Sequence, residues 1–344
     1  MKHIDGSMGE GGGQVLRSSL SLALLTGQEI RIENIRAGRR SPGLRPQHLK
    51  SVEAAAEVGS ARLEGAAMGA TALCFAPRGI RSGDYAIDIA TAGAVSLVFQ
   101  TLLLPLCRAE EPSRLLLRGG THVLWSPCFH YLERQFLPFL ERLGVRAKLS
   151  LHRAGFYPKG GGEMEARIEP GGPLRPLELT EPGPLQAVEG LSAVGGLPGD
   201  IARRQARRAR QALEPLGVPV DIEEAELPAF GKGTLLLLKA RFEHGSACHF
   251  ALGARGKPAE RVADEAAAQL AVTLASGAAM DEHLADQLLL PLALCPGTSH
   301  FSTPKVTGHL LTNARLIPSL LPVRIDIEGK EGGFGRVRIE GASR

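Results

Sequence analysis

The segment Gly308-His309-Leu310-Leu311-Thr312-Asn313 puts a histidine directly after a glycine, at what its neighbours predict to be a helix start. Apolar residues recur at helical spacing through Leu310, Leu311, Ala314 and Ile317, and Pro318 follows. At a helix N-terminus the positive end of the macrodipole disfavours protonation, so an imidazole there stays neutral and nucleophilic. The free amides of the first turn can also receive an anion such as a phosphate. A lone histidine is more often a cap or a core residue, so the case for chemistry depends on the rest of the chain.

A second cluster is Gly9-Glu10-Gly11-Gly12-Gly13-Gln14, followed by Val15-Leu16-Arg17, between a short strand and an apolar helix. Glycines there let the backbone approach a phosphate and leave the helix amides free to bind it. The segment has neither the Gly-Lys-Ser/Thr of a Walker A loop nor a GxGxxG fingerprint. Glu10 within it could hold Mg²⁺ beside phosphates. The competing reading is a tight strand-to-helix turn, against which the Glu and Arg beside the triple glycine argue. The stretch from Ile35 to His48 carries Arg36, Arg39, Arg40 and Arg45, with Gly and Pro stiffening the loop. Guanidinium forks match phosphate geometry, and Gln47-His48 flank the cluster. A solvated basic loop is the alternative.

Three further stretches carry weaker signals. Thr91-Ala92-Gly93-Ala94-Val95-Ser96 opens an apolar helix that carries the polar Gln100, which needs a partner. Tyr157-Pro158-Lys159-Gly160-Gly161-Gly162-Glu163 reads as a hairpin turn. His283-Leu284-Ala285-Asp286-Gln287 starts the last long apolar helix. Asp286 and Gln287 are adjacent and cannot both face the core. Either could bond a base or ribose, and Asp286 could equally serve as an N-terminal charge.

The elements that must position these residues follow from pattern and length. The 344 residues suggest about two domains, and 44% hydrophobic with 22% charged residues is globular. Aromatics make up only 4%, so stacking on single-stranded bases cannot be widespread. A net charge of +4 is compatible with an anionic substrate without requiring one. The 5 cysteines are scattered with no CxxC pair, which disfavours a disulfide scaffold or structural zinc and fits a reducing cytoplasm. No leader-like opening and no long uncharged apolar run appear, so a membrane span is not expected.

A repeat of helix, Gly or Pro break, then strand begins at His48-Leu49, Tyr131-Leu132 and His309-Leu310. Apolar helices at Ser18–Thr26, Val95–Cys107 and Leu284–Leu294 precede these starts, which describes helices layered on sheets. The interval from Tyr131 to His309 exceeds that from His48 to Tyr131 by about 95 residues. A smaller domain over 181–274 is therefore expected to interrupt the third unit, leaving 1–180 and 275–344 as the large one. Within it, the helix expected over Ile201–Leu213 is rich in arginine. An RNA-backbone contact is one reading of that helix, and a solvated face with Glu partners is the preferred one.

Taken together, Glu10 to Arg17, Ile35 to Arg39 with Pro42 to His48, His283 to Gln287 and Gly308 to Asn313 resemble, in order, the motifs of the RNA 3′-terminal phosphate cyclases. The resemblance covers essentially the whole chain. It implies an α/β fold of the α+β type, with three βαβαββ-like units around a pseudo-threefold and a small α/β domain inserted in the third. It implies a ligase that uses ATP and a divalent metal, Mg²⁺ or Mn²⁺, to turn an RNA 3′-phosphate into a 2′,3′-cyclic phosphodiester. By the resemblance, His309 takes the adenylyl group and Glu10 positions the metal. Arg17, Arg36, Arg39, Gln47 and His48 lie around the phosphates. Gln100 and the stretch His283, Leu284, Ala285, Asp286 and Gln287 line the nucleotide site. Pro127 forms one face of the adenine slot, and Phe250 borders it. The family commonly has Tyr where this chain has His283. The implied partner is RNA with a 3′-terminal phosphate; no membrane is involved, and a homodimer is left open.

Three other readings compete. A non-catalytic cyclase-like protein of ribosome assembly would share the fold but lack the histidine, which is present here in its full context. An enolpyruvyl transferase would need six units and a longer chain. A nucleic-acid binder acting by charge alone finds little support in a net charge of +4.

Overall fold

The computed structural model describes residues 1–342. Strand β1 (Lys2–Asp5) runs through a glycine loop into helix α1 (Gly13–Thr26), and β2 (Ile30–Glu33) follows. Helix α2 (Pro46–Val58) and the strands β3 (Arg62–Glu64) and β4 (Leu73–Ala76) complete a sheet of order β1-β2-β4-β3. The α1 helix begins five residues before the apolar run that advertises it, with Gly13 and Gln14 opening the first turn and Val15 and Leu16 already buried. Gln14 and Arg17 are thereby placed on the helix, one turn apart. Gly27 closes α1 in the left-handed conformation at φ 67°.

The second sheet has order β5-β6-β8-β7, from β5 (Asp84–Asp88), β6 (Ser113–Gly119), β7 (Ala147–Arg153) and β8 (Gly162–Ile168). Helix α3 (Val95–Leu106) is apolar on nearly every side and buried accordingly, with Leu97 and Gln100 half-buried. The helical stretch expected after Tyr131 is broken into α4 (Phe129–Tyr131), a π-turn (Leu132–Phe136) and α5 (Leu137–Leu143). The expected hairpin turn joins β7 to β8.

A short strand β9 (Glu178–Leu179) then leads into β10 (Leu185–Gly195), α6 (Asp200–Leu213), β11 (Val220–Glu226), β12 (Gly233–Phe242), β13 (Ser246–Leu252) and α7 (Ala259–Ser276). These strands form their own sheet, β11-β10-β12-β13. Leu235 to Leu238 are all buried because both faces of this sheet are covered. Leu235 and Leu237 face the main core, while Leu236 and Leu238 join a second cluster with residues of α6 and α7. The arginines of α6 behave as a solvated face with acidic partners. Arg204 forms a two-point pair with Glu260 at 2.8 Å, and Arg208 meets Asp264 at 2.7 Å.

The chain returns through α8 (Glu282–Ala293), β14 (Thr298–Thr303), α9 (Gly308–Leu316), β15 (Arg324–Glu328) and β16 (Gly335–Glu340). The fourth sheet, β15-β16-β14-β9, pairs β14 in parallel with β9 from before the intervening segment. The fold is thus mixed α and β, with helices laid on sheets. Among the described residues no helix is long and apolar enough to cross a membrane, and all five cysteines are free.

One buried carboxylate ties the second sheet's helices to β13 and α8. Asp281 caps α8 by accepting from Leu284 N at 2.9 Å. It also accepts from the Tyr131 hydroxyl at 2.7 Å, from Gln135 Nε2 in the π-turn at 2.9 Å and from Cys248 N at 3.1 Å. Four buried donors depend on one side chain. Asp281→Ala should therefore lower the unfolding free energy by about 3 kcal/mol or more. Urea denaturation measures this, and an unchanged midpoint would show that the donors find other partners.

Candidate active site

The site assembles where α1, α2 and α9 converge. His309 is the second residue of α9, as its sequence context predicts. The helix is capped by Thr307, whose hydroxyl accepts from Leu310 N at 2.9 Å and donates to Asp286 Oδ1 at 2.6 Å. Gln14, on the first turn of α1, clamps the histidine at two points. Its amide nitrogen donates to His309 O at 3.2 Å, and its oxygen accepts from His309 Nδ1 at 2.5 Å. A carboxamide that donates with nitrogen must accept with oxygen, so Nδ1 carries the proton. The lone pair is left on Nε2, which stands 3.5 Å from Glu10 Oε2. Burial holds the His309 pKa below the ordinary 6.5; Glu10 pulls it up, while Arg17 and Arg39 push it down. The imidazole is neutral at pH 7 and presents an unprotonated nitrogen.

The cations gather around that nitrogen. Arg17 lacks a carboxylate partner among the described residues. Burial, followed by the charge of Arg36, lowers its pKa to about 10, which leaves it charged at neutral pH. His48, at the start of α2, is driven to about 3 by burial and by Arg17, Arg36 and Arg45, so it stays neutral. Its Nδ1 is buried without a hydrogen-bond partner. The other ring nitrogen, Nε2, lies beside Arg17 Nη1 at the backbone of Gly13, and a guanidinium without a carboxylate partner suits an anion. Arg39 reaches Glu10 Oε2 at 3.2 Å. Arg36 has a different task from the rest of the cradle. Its backbone is left-handed at φ 57°, and its Nη1 braces the loop through Ser41 O and Gly43 O, both at 2.8 Å. Gln47 is half-buried beside His48, with Nε2 at 3.4 Å from Ser51 Oγ.

The glycines make this approach possible. A Cβ on Gly13 would lie 2.4 Å from His48 Nε2 and 2.8 Å from Arg17 Nη1. Gly9, at φ 62°, presses its backbone on Thr312 of α9. Among the described residues no three His, Cys, Asp or Glu side chains gather in a metal-holding group. Glu10 alone fits the way Mg²⁺ is held beside phosphates, by one carboxylate and the substrate's own oxygens.

A second group of residues lies along α8 and β13. Gln287 accepts from Gln100 Nε2 at 2.9 Å, which supplies the partner that Gln100 requires. His283 is exposed, its ring edge-on to His249 at 6.4 Å. Phe250 is half-buried with its ring 6.1 Å from that of Tyr131, and Pro127 is half-exposed. Three expectations need correction. Leu284 and Ala285 are 0% exposed, with their side chains in the core and their amides held by Asp281, so they offer a nucleotide no surface. Asp286 is buried and committed to Thr307, and burial raises its carboxyl well above the usual range. It holds the cap of α9 in place. Gln14 and Thr307, in turn, escape sequence reasoning.

The family model described as RNA 3′-terminal phosphate cyclase matches residues 8–327. The chain belongs to that family. Similar relatives of the cyclase family carry the same description. One from Methylococcus capsulatus is 49% identical over 98% of this chain and 96% of its own. One from Pyrobaculum neutrophilum is 44% identical over 98% of both, and one from Trichormus variabilis is 42% identical over 100% of this chain and 97% of its own. The glycine approach of this cyclase-family site can be tested directly. Gly13→Ala should displace His48 and Arg17 and weaken binding of inorganic pyrophosphate about tenfold or more while the fold persists. Calorimetric titration with circular dichroism checks both, and unaltered affinity would remove these two residues from the anion site.

Proposed function

We propose that the chain closes an RNA 3′-terminal phosphate to a 2′,3′-cyclic phosphodiester at the expense of ATP, through a covalent adenylate on His309. The observation that carries this reading is the clamped, neutral imidazole whose unprotonated Nε2 lies by Glu10 in the field of Arg17, which has no carboxylate partner among the described residues, and of Arg39. A phosphomonoester is a poor electrophile, and direct attack by the 2′-hydroxyl would expel an oxide. Covalent catalysis divides that difficulty.

Nε2 attacks the α-phosphorus, the bond to the β-phosphate oxygen breaks, and pyrophosphate leaves. The RNA 3′-phosphate then attacks the same phosphorus, displaces His309 and gains an adenylate. Last, the neighbouring 2′-hydroxyl attacks the terminal RNA phosphorus, loses its proton and expels AMP. The vicinal hydroxyl is held beside phosphorus by the ribose itself, so ring closure gains from proximity. Arg17 and Arg39 offset the negative charge that would repel each nucleophile. A divalent cation would be held by Glu10 and the phosphate oxygens, and would supply further charge neutralisation. On this reading Gln100, Gln287, His283, Phe250 and Pro127 receive the nucleoside, Gln47 and His48 the phosphates, and residues 181–274 form the inserted domain.

Two outcomes test the proposal. With α-labelled ATP and Mg²⁺ the protein should take up label in an acid-labile, alkali-stable bond, and His309→Ala should abolish uptake while keeping the fold. A variant that retains label would remove His309 from its role. The label-uptake rate should also be flat near neutrality and fall only as pH drops through a midpoint below 6.5, because protonation of Nε2 removes the nucleophile and burial lowers its pKa. A midpoint above 6.5 would contradict a half-buried neutral nucleophile.

A further inference from the structure

Aromatic side chains are few here, 1 Trp, 3 Tyr and 11 Phe. Four are exposed among the described residues, and three of these stand on adjoining loops: Trp125 (96% exposed), Tyr157 (76%) and Phe230 (67%). The loops are joined edge to edge. His122 pairs with Phe156 in a parallel bridge, and Thr121 N and His122 N both donate to Gly155 O at 3.0 Å. Ala154 pairs with Ala229 and donates to Pro228 O at 2.7 Å. At ordinary strand spacing the three paired points lie within about 10 Å.

The display is built into the backbone. Trp125 has a left-handed φ of 64°, rare for a bulky side chain, and its loop is pinned by Ser126 Oγ donating to Val123 O at 3.1 Å. Beneath it, the buried rings of His122 and His130 bond nitrogen to nitrogen at 2.9 Å. Cations alternate with the aromatics. The Arg153 guanidinium lies 4.0 Å over the Phe230 ring and donates to Gly161 O at 2.7 Å. Lys159 and Lys232 are exposed, and neither is ion-paired among the described residues. The surface is also continuous with the cradle. A Cβ on Gly160 would lie 2.8 Å from Ala92 Cα, and one on Gly93 would lie 2.9 Å from Gln47 Cβ.

We infer that this surface is the track for the single-stranded RNA leading to the reacting 3′ end. Bases stack on Trp125, Tyr157 and Phe230, while Arg153, Lys159 and Lys232 follow the phosphates. Stacking on exposed rings requires unpaired bases, which a duplex does not offer. The inference rests on the function proposed above, which supplies the strand. Its test does not require turnover.

Trp125 is the sole tryptophan, so intrinsic fluorescence of the whole protein reports on this loop. A single-stranded 3′-phosphorylated oligonucleotide of about ten residues should quench it, and a nucleoside 3′-monophosphate should not. Tyr157→Ala and Phe230→Ala should each weaken oligonucleotide binding about tenfold. Both variants should take up label from ATP at the unaltered rate in the absence of RNA. Absent quenching, unaltered affinity in the double variant, or equal binding of blunt duplex RNA would each overturn the track; the patch would then face some other partner. Quenching without any adenylate would support the track and defeat the proposed reaction, and adenylate without quenching would do the reverse.

Discussion

The two-point clamp between Gln14 and His309 is the contact on which the site depends. It joins residues 295 positions apart, one on the first turn of α1 and one on the first turn of α9. A single bond to the ring would leave the tautomer free to exchange. The second bond, from the amide nitrogen to the His309 carbonyl, settles which end of the carboxamide accepts, and so which ring nitrogen keeps its lone pair. Both helices must then dock at fixed height. Gly9 seated on Thr312, and Ser18 Oγ donating to Asn313 Oδ1 at 2.9 Å, set that height along the same seam. The buried, raised carboxyl of Asp286 carries the constraint one layer outward, since it holds Thr307 and through it the start of α9.

Keeping the His309 imidazole neutral and crowding cations beside it are one problem seen from two sides. Burial lowers the pKa of His309, and the guanidinium groups lower it further. The same burial leaves Arg17 without a counter-ion, a condition that costs free energy until an anion enters. The surrounding core is large and holds polar groups that are fully satisfied elsewhere. Asp281, buried completely, has all four of its donors in place. The unsatisfied Nδ1 of His48 is one of six such buried side-chain atoms among the described residues, and Ser19 Oγ on α1 is another.

Much of the site was legible because its signals are local. The helix start at His309 follows from a glycine, an apolar run and a proline within eleven residues, and the arginine loop is visible as composition. Gln14 was not legible as a clamp, because nothing near it in the chain indicates a partner on α9. Leu284 and Ala285 failed for a geometric reason. A motif is a contiguous string, but a helix turns 100° per residue, so only His283 and Gln287, one turn apart, share a face. The three residues between them, Leu284, Ala285 and Asp286, rotate into the core. The early start of α1 was missed because glycine and glutamine carry little helical signal, although close approach to His48 and Arg17 is what puts glycine there.

The scarcity of aromatics has a similar lesson. A low overall fraction argues against stacking across the surface, yet it says nothing of where the few rings fall. Trp125, Tyr157 and Phe230 are separated by 32 and 73 positions and share no motif. They become neighbours only because β-bridges at Phe156 and Ala229 bring three loops together. One of those loops comes from between β11 and β12, beyond the start of α6, so the intervening sheet is more than a passenger. Its inner face completes the main core through Leu235 and Leu237, its β13 supplies Phe250 and the Cys248 amide, and the loop after β11 sets Phe230 against Arg153. A segment that interrupts the chain between β9 and α8 thereby contributes to the core, the candidate nucleoside face and the approach of the strand at once.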